Sequence, residues 1–353
     1  MHDARVLVVD DSAAMRALFS DVLEQSKNVS VIGTAASAAE ARTQIAELKP
    51  NVVTLDVEMP GMSGIDFLEE LMTTNPIPVV MLSSLTQSGT EVSLRAYELG
   101  AVECFPKPLK ATPEQFAKTV GKLGKIVLAA ANSNVRERKP THHASSASPQ
   151  APREARPVNP NFVPNGHIAA FSASMGGIDA LTTLLAGYPE QCPPTIITLQ
   201  SEPALVETFI ARLSAELKCA IKLAKDGALI TPGTIHIAAD PDQHVVFEPG
   251  TPPRIRMMTR DPVDGARPSA TLLFGTIARA GVPAVGTILT GMGSDGAKGL
   301  KLMRDAGCRT FAEDPASATV GESPAAAIAA NAVEKPLPLA ELGEAILACC
   351  GQG

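Results

Sequence analysis

The sequence has no excess of basic residues. Lysine and arginine number 30 against 37 acidic residues, which gives a formal net charge of -7 over 353 residues. Neither half of the chain shows a face rich in lysine or arginine. Because nucleic-acid binding depends on clustered cations that neutralise phosphates, the charge does not indicate a nucleic-acid partner.

Long apolar runs and a patterned set of cysteines are lacking too. The segment Met1–Arg5 is polar and leads directly into a strand pattern, and no apolar run reaches membrane-spanning length. The six cysteines fit neither zinc-site spacing nor a disulfide framework. These absences predict a cytoplasmic protein that is not inserted in a membrane and whose thiols stay reduced.

A proline- and serine-rich segment divides the chain. Apolar periodicity disappears between Ala131 and Gly166, where six prolines are interspersed with serines and arginines. Such a segment buries too little apolar surface to offset the entropy lost on ordering. The sequence therefore predicts one domain over residues 1–125, a flexible linker over 126–166 and a second domain over 167–353.

The first half alternates short apolar runs with helical patterns. Five βα units with apolar strands predict a five-stranded parallel sheet of flavodoxin-like architecture, covered by helices on both faces. The predicted strands are Arg5–Val9, Val29–Gly33, Val52–Leu55, Val79–Leu82 and Ala101–Phe105.

The second half alternates less regularly and predicts a doubly wound α/β domain with a hairpin-rich insertion. Its sheet strands are predicted at Ile168–Ser172, Thr195–Leu199, Val285–Leu289 and Arg309–Ala312. The insertion is predicted to comprise Ile235–Ala238, His244–Glu248 and Arg254–Met258.

Acidic residues follow two strands of the first half. Asp10 and Asp11 come directly after the first strand, and Asp56 comes at the end of the third. Since parallel strands end at the same edge, the three carboxylates should converge, and Mg²⁺ would relieve their mutual repulsion. Ser83 and Lys107 follow the next two strands and can bind the oxygens of a phosphoryl group that the carboxylate attacks.

These residues lie in three motifs, Val8-Val9-Asp10-Asp11-Ser12, Leu55–Gly64 and Phe105-Pro106-Lys107-Pro108. In this register the first half resembles the receiver domain of two-component response regulators. The resemblance implies that a histidine kinase phosphorylates Asp56 and that Mg²⁺ binds Asp10, Asp11, Asp56 and the carbonyl of Glu58. The Lys107–Pro108 bond is a favourable place for a cis peptide. Cys104 stands where receivers usually carry an aromatic residue.

Two motifs of the second half place polar residues at strand ends. In Phe171–Gly177, Ser174 lies at a strand-to-helix turn, and Leu289–Leu300 is a glycine-rich turn that carries Asp295. Helix N-terminal N–H groups at such a turn could bind an oxyanion. Taken singly, Ser174 also fits an ordinary small-residue turn, and Asp295 fits a plain helix N-cap.

Together these motifs resemble the catalytic domain of chemotaxis protein-glutamate methylesterases, and the order receiver, linker, catalytic domain is that family's architecture. The resemblance implies a Ser–His–Asp triad that hydrolyses glutamate methyl esters on chemoreceptors and also deamidates glutamines there. Ser174 matches the nucleophile, Asp295 matches the aspartate, and Met292 supplies an oxyanion-hole N–H.

The histidine position of this family holds Gln200. A glutamine cannot accept a proton near neutral pH, and removing the base of a triad costs on the order of 10⁴ to 10⁶ in kcat. One hypothesis is therefore a methylesterase, with His244 as a candidate substitute base. The alternative is a catalytically impaired member of the family, which acts as a phosphorylation-regulated receptor-binding module or as a phosphate sink.

Overall fold

The computed structural model describes residues 2–83, 87–107, 113–135 and 161–352. These residues form two compact units, one on each side of the proline-rich segment. Residues 136–160 of the predicted linker and the Lys107–Pro108 bond lie outside the described residues. In the described part of the chain, no helix is long and apolar enough to cross a membrane.

The N-terminal unit is a five-stranded parallel sheet in the order β2-β1-β3-β4-β5. Its strands are β1 (Ala4–Val9), β2 (Val29–Ala35), β3 (Val52–Asp56), β4 (Val79–Ser83) and β5 (Glu103–Pro106). Its helices are α1 (Ala13–Glu24), α2 (Ala38–Leu48), α3 (Gly64–Thr74), α4 (Gln87–Leu99) and α5 (Pro113–Ala131). The predicted five βα units are confirmed.

Local sequence explains why these helices begin where they do. Ser12, Ser37 and Ser63 are the N-caps of the first three helices, and each hydroxyl accepts a backbone N–H three residues later. The chain then passes very close to β3, because a Cβ built on Gly64 would lie 1.8 Å from the carbonyl oxygen of Asp56. Only glycine permits that approach without a backbone shift.

The C-terminal unit contains a seven-stranded parallel sheet in the order β14-β13-β12-β6-β7-β9-β8 and a separate antiparallel hairpin. The sheet strands are β6 (Ile168–Ala173), β7 (Thr195–Leu199), β8 (Ala220–Leu223), β9 (Thr234–Ala238), β12 (Ala284–Ile288), β13 (Arg309–Glu313) and β14 (Lys335–Leu337). The hairpin strands are β10 (His244–Glu248) and β11 (Arg254–Met258). The helices are α6 (Gly177–Leu185), α7 (Pro203–Glu216), α8 (Ala270–Ala280), α9 (Ala297–Asp305), α10 (Glu322–Ala329) and α11 (Leu339–Cys350).

The hairpin insertion is smaller than the sequence predicted. Only β10 and β11 form it, whereas β9 pairs in parallel with β7 and with the unpredicted edge strand β8. All five residues of β9 are buried, which suits an interior strand of the main sheet. The edge strands β8 and β14 are short and partly exposed, so their apolar signal is weak.

The edges of the two units extend beyond the predicted domain boundaries. The helix α5 continues past residue 125 to Ala131. At the start of the C-terminal unit, Pro164 forms an antiparallel bridge with Gly351, and the Gln352 N–H donates to the carbonyl oxygen of Val163 at 2.8 Å. Residues before His167 therefore pack with the C-terminus of the chain.

Candidate active site and candidate metal centre

Three carboxylates converge at the carboxyl edge of the N-terminal sheet. Asp10, Asp11 and Asp56 each place a carboxylate oxygen within 4.8 Å of the others. The neighbouring strands β1 and β3 deliver them, at the point where the order of the strands reverses. Asp10 and Asp56 are buried, whereas Asp11 is exposed. This is the convergence that the sequence predicted.

The lysine that directly follows β5 reaches the same pocket. The Lys107 Nζ atom lies 2.9 Å from Asp10 Oδ2 and 2.7 Å from Asp56 Oδ1. Burial raises the pKa of the Asp56 carboxyl above its ordinary value, the hydrogen bond and charge of Lys107 lower it, and the charge of Asp10 raises it. The backbone N–H of Glu58 also donates to Asp56 Oδ1 at 3.1 Å. The pocket therefore holds more negative charge than Lys107 offsets, and its all-oxygen donor set suits a hard divalent cation.

Ser83 ends β4 at the same edge and is buried. Its Oγ lies 3.1 Å from Ser93 Oγ and 3.3 Å from the carbonyl oxygen of Gly89, both of which belong to α4. Cys104, at the position where an aromatic residue is usual, is also buried, and its Sγ lies 3.6 Å from the carbonyl oxygen of Ser93. Ser83 and Cys104 thus contact the same helix through Ser93.

In the C-terminal unit, Ser174 follows β6 directly and lies at a strand-to-helix turn. Its N–H donates to the carbonyl oxygen of Thr290 at 3.2 Å, and Gly176 continues the turn with a φ of 74° that favours glycine. The Met292 N–H donates to Ser174 Oγ at 3.0 Å. Strands β6 and β12 are neighbours in the sheet, and the order of the strands reverses between them. Ser174 follows β6 and Met292 follows β12, so the two residues meet where open α/β sheets usually bind their ligands.

Gly291 allows this contact. A Cβ built on Gly291 would lie 2.4 Å from Ser174 Oγ and 3.1 Å from Ser323 Oγ. Any side chain there would displace the Ser174 hydroxyl. The glycine is therefore required by the close approach of the β12–α9 turn to the serine.

Asp295 is buried beside this turn and caps a helix other than its own. Its carboxylate accepts the Ser269 hydroxyl at 2.6 Å, the Ala270 N–H at 2.7 Å and the Thr271 N–H at 3.2 Å, all at the start of α8. The N-cap of α9 is instead Gly296, with a φ of 89°. The alternative prediction from the sequence, that Asp295 is a plain N-cap of the following helix, is therefore wrong.

Gln200 follows β7 at the same edge. Its side-chain Nε2 lies 3.5 Å from Asp295 Oδ2, the outer limit for a hydrogen bond. Its backbone N–H donates to the carbonyl oxygen of Ala173 at 3.1 Å, which holds the residue beside the serine turn. The structure thus brings Ser174, Met292, Asp295 and Gln200 to one sheet edge, and their catalytic roles stay predictions.

The three histidines of the C-terminal unit are all engaged elsewhere. His244 is fully buried, with Nε2 3.0 Å from the carbonyl oxygen of Asp261 and Nδ1 3.1 Å from the Ser269 N atom. His236 lies within β9 with Nε2 3.0 Å from the carbonyl oxygen of Leu229, and burial lowers the pKa of its ring. His167 precedes β6, at the opposite end of that strand from Ser174.

Sequence reasoning did not identify the buried residues, Thr290 and Glu313, whose hydrogen bonds hold the serine turn in place. Thr290 Oγ1 donates to the carbonyl oxygen of Met175 at 3.0 Å and accepts the Val320 N–H at 2.8 Å. The buried carboxylate of Glu313 accepts the Thr290 N–H at 2.8 Å. Thr290 lies just past β12 and Glu313 ends β13, so a polar residue at the carboxyl end of an apolar strand was the available signal.

Fold and sites together define a class of protein: a receiver-type α/β unit with an acidic pocket, followed by a larger α/β unit with a hydrolase-like serine turn. Residues 6–119 match the family model of the response regulator receiver domain, and residues 169–346 match that of CheB methylesterase. The chain belongs to the CheB methylesterase family.

Individual relatives agree with this membership over nearly the full chain. A protein-glutamate methylesterase/protein-glutamine glutaminase of Caulobacter vibrioides is 44% identical over 350 residues, which covers 98% of each chain. Its counterpart in Agrobacterium fabrum is 43% identical and covers 98% of this chain and 96% of its own. The crystal structure of the Thermotoga maritima CheB methylesterase catalytic domain superposes with a TM-score of 0.50 at 24% identity, covering 52% of this chain and 98% of that one. That likeness supports the fold of the C-terminal unit.

Proposed function

We propose that this chain hydrolyses glutamate γ-methyl esters, and deamidates glutamines, on chemoreceptors, with Ser174 as the nucleophile. The observation that carries the proposal is the hydrogen bond of 3.0 Å between the Met292 N–H and Ser174 Oγ, at the sheet edge that also holds Asp295 and Gln200. The names of the full-length relatives support the same reaction.

The reaction takes two steps. Ser174 Oγ attacks the ester carbonyl carbon, the Met292 N–H stabilises the oxygen that becomes negative, and methanol leaves as the acyl-enzyme forms. Water then cleaves the acyl-enzyme and releases the glutamate carboxylate. With a glutamine substrate, ammonia leaves in place of methanol.

The proton of the Ser174 hydroxyl is the weak point of this reaction. Gln200 cannot accept this proton, and the three histidines that the structure describes in this unit have other partners. Without a base, catalysis by the oxyanion donor and by binding alone retains roughly 10³ to 10⁴ over water. We therefore expect slow hydrolysis.

A second candidate function follows from the same observation. A site that binds receptor side chains without hydrolysing them would act as a receptor-binding module, with the receiver domain controlling the contact or draining phosphoryl groups. Gln200 at the base position favours this candidate over a fast esterase. The two candidates make opposite predictions for methanol release.

The receiver domain supports control by phosphorylation. Asp56 would accept the phosphoryl group from a histidine kinase, while Asp10, Asp11 and Asp56 would hold Mg²⁺. Bound there, the ion would neutralise charge on the transferred oxygens. Lys107 contacts Asp56 and Asp10, and Ser83 ends the neighbouring strand β4, which supports a role for both in binding phosphoryl oxygens. Phosphorylation would relieve inhibition of the esterase domain.

The test uses receptor membranes carrying labelled methyl esters, incubated with the purified full chain with and without a small-molecule phosphodonor. Methanol release that rises with the donor and vanishes in Ser174→Ala supports the esterase. No release, together with receptor pull-down that depends on the donor, supports the binding module and contradicts the first candidate.

A substitution at position 200 tests the placement of the site. Gln200→His restores a proton acceptor next to Asp295, and we expect it to raise the rate of methanol release by at least about 10²-fold. Gln200→Asn serves as the control, because it changes the residue without adding a base. Equal rates in the two variants would contradict the assignment of position 200 to the base.

A further inference from the structure

His244 forms two hydrogen bonds that fix its protonation pattern. The ring is fully buried at the start of β10. Its Nε2 faces the carbonyl oxygen of Asp261 at 3.0 Å, and its Nδ1 accepts the backbone N–H of Ser269 at 3.1 Å. A carbonyl can only accept and an N–H can only donate, so the proton lies on Nε2 and Nδ1 carries a lone pair.

Ser269 joins this histidine to Asp295. Its N–H contacts His244, and its hydroxyl donates to Asp295 Oδ1 at 2.6 Å. The next two residues, Ala270 and Thr271, donate their N–H groups to the same carboxylate. Ser269 is the N-cap of α8, yet its side chain forms no capping bond and contacts Asp295 instead. One backbone segment therefore connects His244 to three donors on Asp295.

We propose that His244 is a positioning residue: by holding Ser269, it fixes the first turn of α8 so that its three donors orient the Asp295 carboxylate toward position 200. The inference rests on the proposed function for its catalytic consequence. It replaces the role of substitute base, because neither ring nitrogen of His244 is available to Ser174 while both bonds are made.

Amide hydrogen exchange on the full chain tests the positioning without any activity. His244→Phe keeps a planar ring but removes both nitrogens, which leaves the buried Ser269 N–H without its acceptor. We expect exchange at Ala270 and Thr271 to become about ten- to a hundredfold faster relative to Ile277 in the last turns of α8. His244→Asn places an amide oxygen near the position of Nδ1, and we expect it to keep both rates within about threefold of the wild type.

Two outcomes of the exchange experiment would overturn the proposal. One is unchanged exchange at Ala270 and Thr271 in His244→Phe. The other is an equal acceleration along all of α8 in both variants, which would reveal a general packing role. If His244→Phe does not fold, ring ¹⁵N resonances of the wild-type chain decide, with His244→Asn identifying the signal. A protonated Nδ1 would overturn the proposal, and a protonated Nε2 with an unprotonated Nδ1 supports it.

Kinetics in the Gln200→His background tests the catalytic consequence. Adding His244→Phe should lower kcat by about tenfold or more and leave KM within about twofold, because Asp295 contacts the base and not the substrate. His244→Asn should recover most of kcat. If Gln200→His itself releases no methanol, the proposed function fails, whereas the exchange experiment still decides the role of His244.

Discussion

Asp56 and Asp295 are both buried carboxylates at the end of a sheet, but their neighbours differ. Asp56 receives one backbone N–H and shares Lys107 with Asp10. Asp295 receives a hydroxyl and two N–H groups from the first turn of a helix, where the helix dipole also favours an anion. The first surroundings leave a carboxylate with unbalanced charge that can react or bind a cation. The second hold a carboxylate in a fixed orientation.

The burial of Asp56, together with the nearby charge of Asp10, predicts a dependence of stability on pH. Its raised pKa means that folding penalises the ionised form. The penalty grows as the pH rises from the ordinary pKa of the carboxyl toward its raised pKa in the folded state, and it fades as the pH falls below the ordinary value. Asp56→Asn should therefore stabilise the receiver domain at pH 7 without Mg²⁺, by on the order of 1 kcal/mol or a few degrees in Tm. The gain should disappear toward pH 4.

Thermal unfolding followed by circular dichroism at pH 4 and pH 7 checks this prediction. Asp21→Asn is the matched control, since Asp21 is an exposed aspartate on α1 and its loss should leave Tm unchanged at both pH values. A gain for Asp56→Asn that is equal at the two pH values would show that charge is not its cause.

At the scale of elements, both sites depend on glycines where a turn passes close to a strand end. Gly64 lets the loop before α3 cross the end of β3, and Gly291 lets the β12–α9 turn approach Ser174. In each case the atom that excludes a side chain belongs to the site itself: the Asp56 carbonyl oxygen in one unit and Ser174 Oγ in the other. The turns therefore set the geometry of the sites as directly as the polar residues do.

Gly291→Ala should reduce the activity of the Gln200→His chain by at least about 10²-fold, because a methyl group 2.4 Å from Ser174 Oγ must displace the nucleophile. The control is Gly275→Ala within α8, where the nearest atom, Leu302 Cδ1, is 3.7 Å away. That change should stabilise the helix by about 1 kcal/mol and preserve the rate. Methanol release and Tm measured on both variants separate the effects, and full activity in Gly291→Ala would contradict the geometry.

At the scale of the whole molecule, the chain divides into two units, each with its own sheet and its own core. Phe19 and Phe67 are fully buried in the first unit, and Phe171, Phe209 and Phe274 are fully buried in the second. The candidate metal centre belongs to the first unit and the candidate active site to the second. Each site should therefore need only its own unit to form.

Separate fragments test this division. Residues 1–135 and 161–353, expressed apart, should each unfold in one cooperative transition. Mg²⁺ at about 100 times its Kd should stabilise the first fragment by about 2.7 kcal/mol and leave the second unchanged. Asp11→Asn in the first fragment should reduce that response, because it removes one carboxylate ligand. A Mg²⁺ response in the second fragment, or no cooperative transition in either, would contradict the prediction.

The sequence by itself determined the strands that carry the two sites and the polar residues at their ends, but not the short edge strands β8 and β14. Asp10, Asp56, Ser174 and Gln200 each follow an apolar run directly, so their place at a sheet edge is a local property of the chain. The sheet to which each strand belongs depends on contacts between distant parts of the chain. β9 reads as part of a hairpin in the sequence, but it pairs with β7 because its residues are buried on both faces.

Only the tertiary structure decided the partners of Asp295 and His244. The donors to Asp295 belong to α8, more than 20 residues earlier in the chain, and His244 contacts the same helix from the hairpin. No periodicity or spacing encodes such contacts, because they arise when separate elements pack around one buried charge that must be satisfied. The sequence thus predicted that Gln200 stands at the position of the base, and the structure placed both ring nitrogens of His244 in hydrogen bonds to backbone groups.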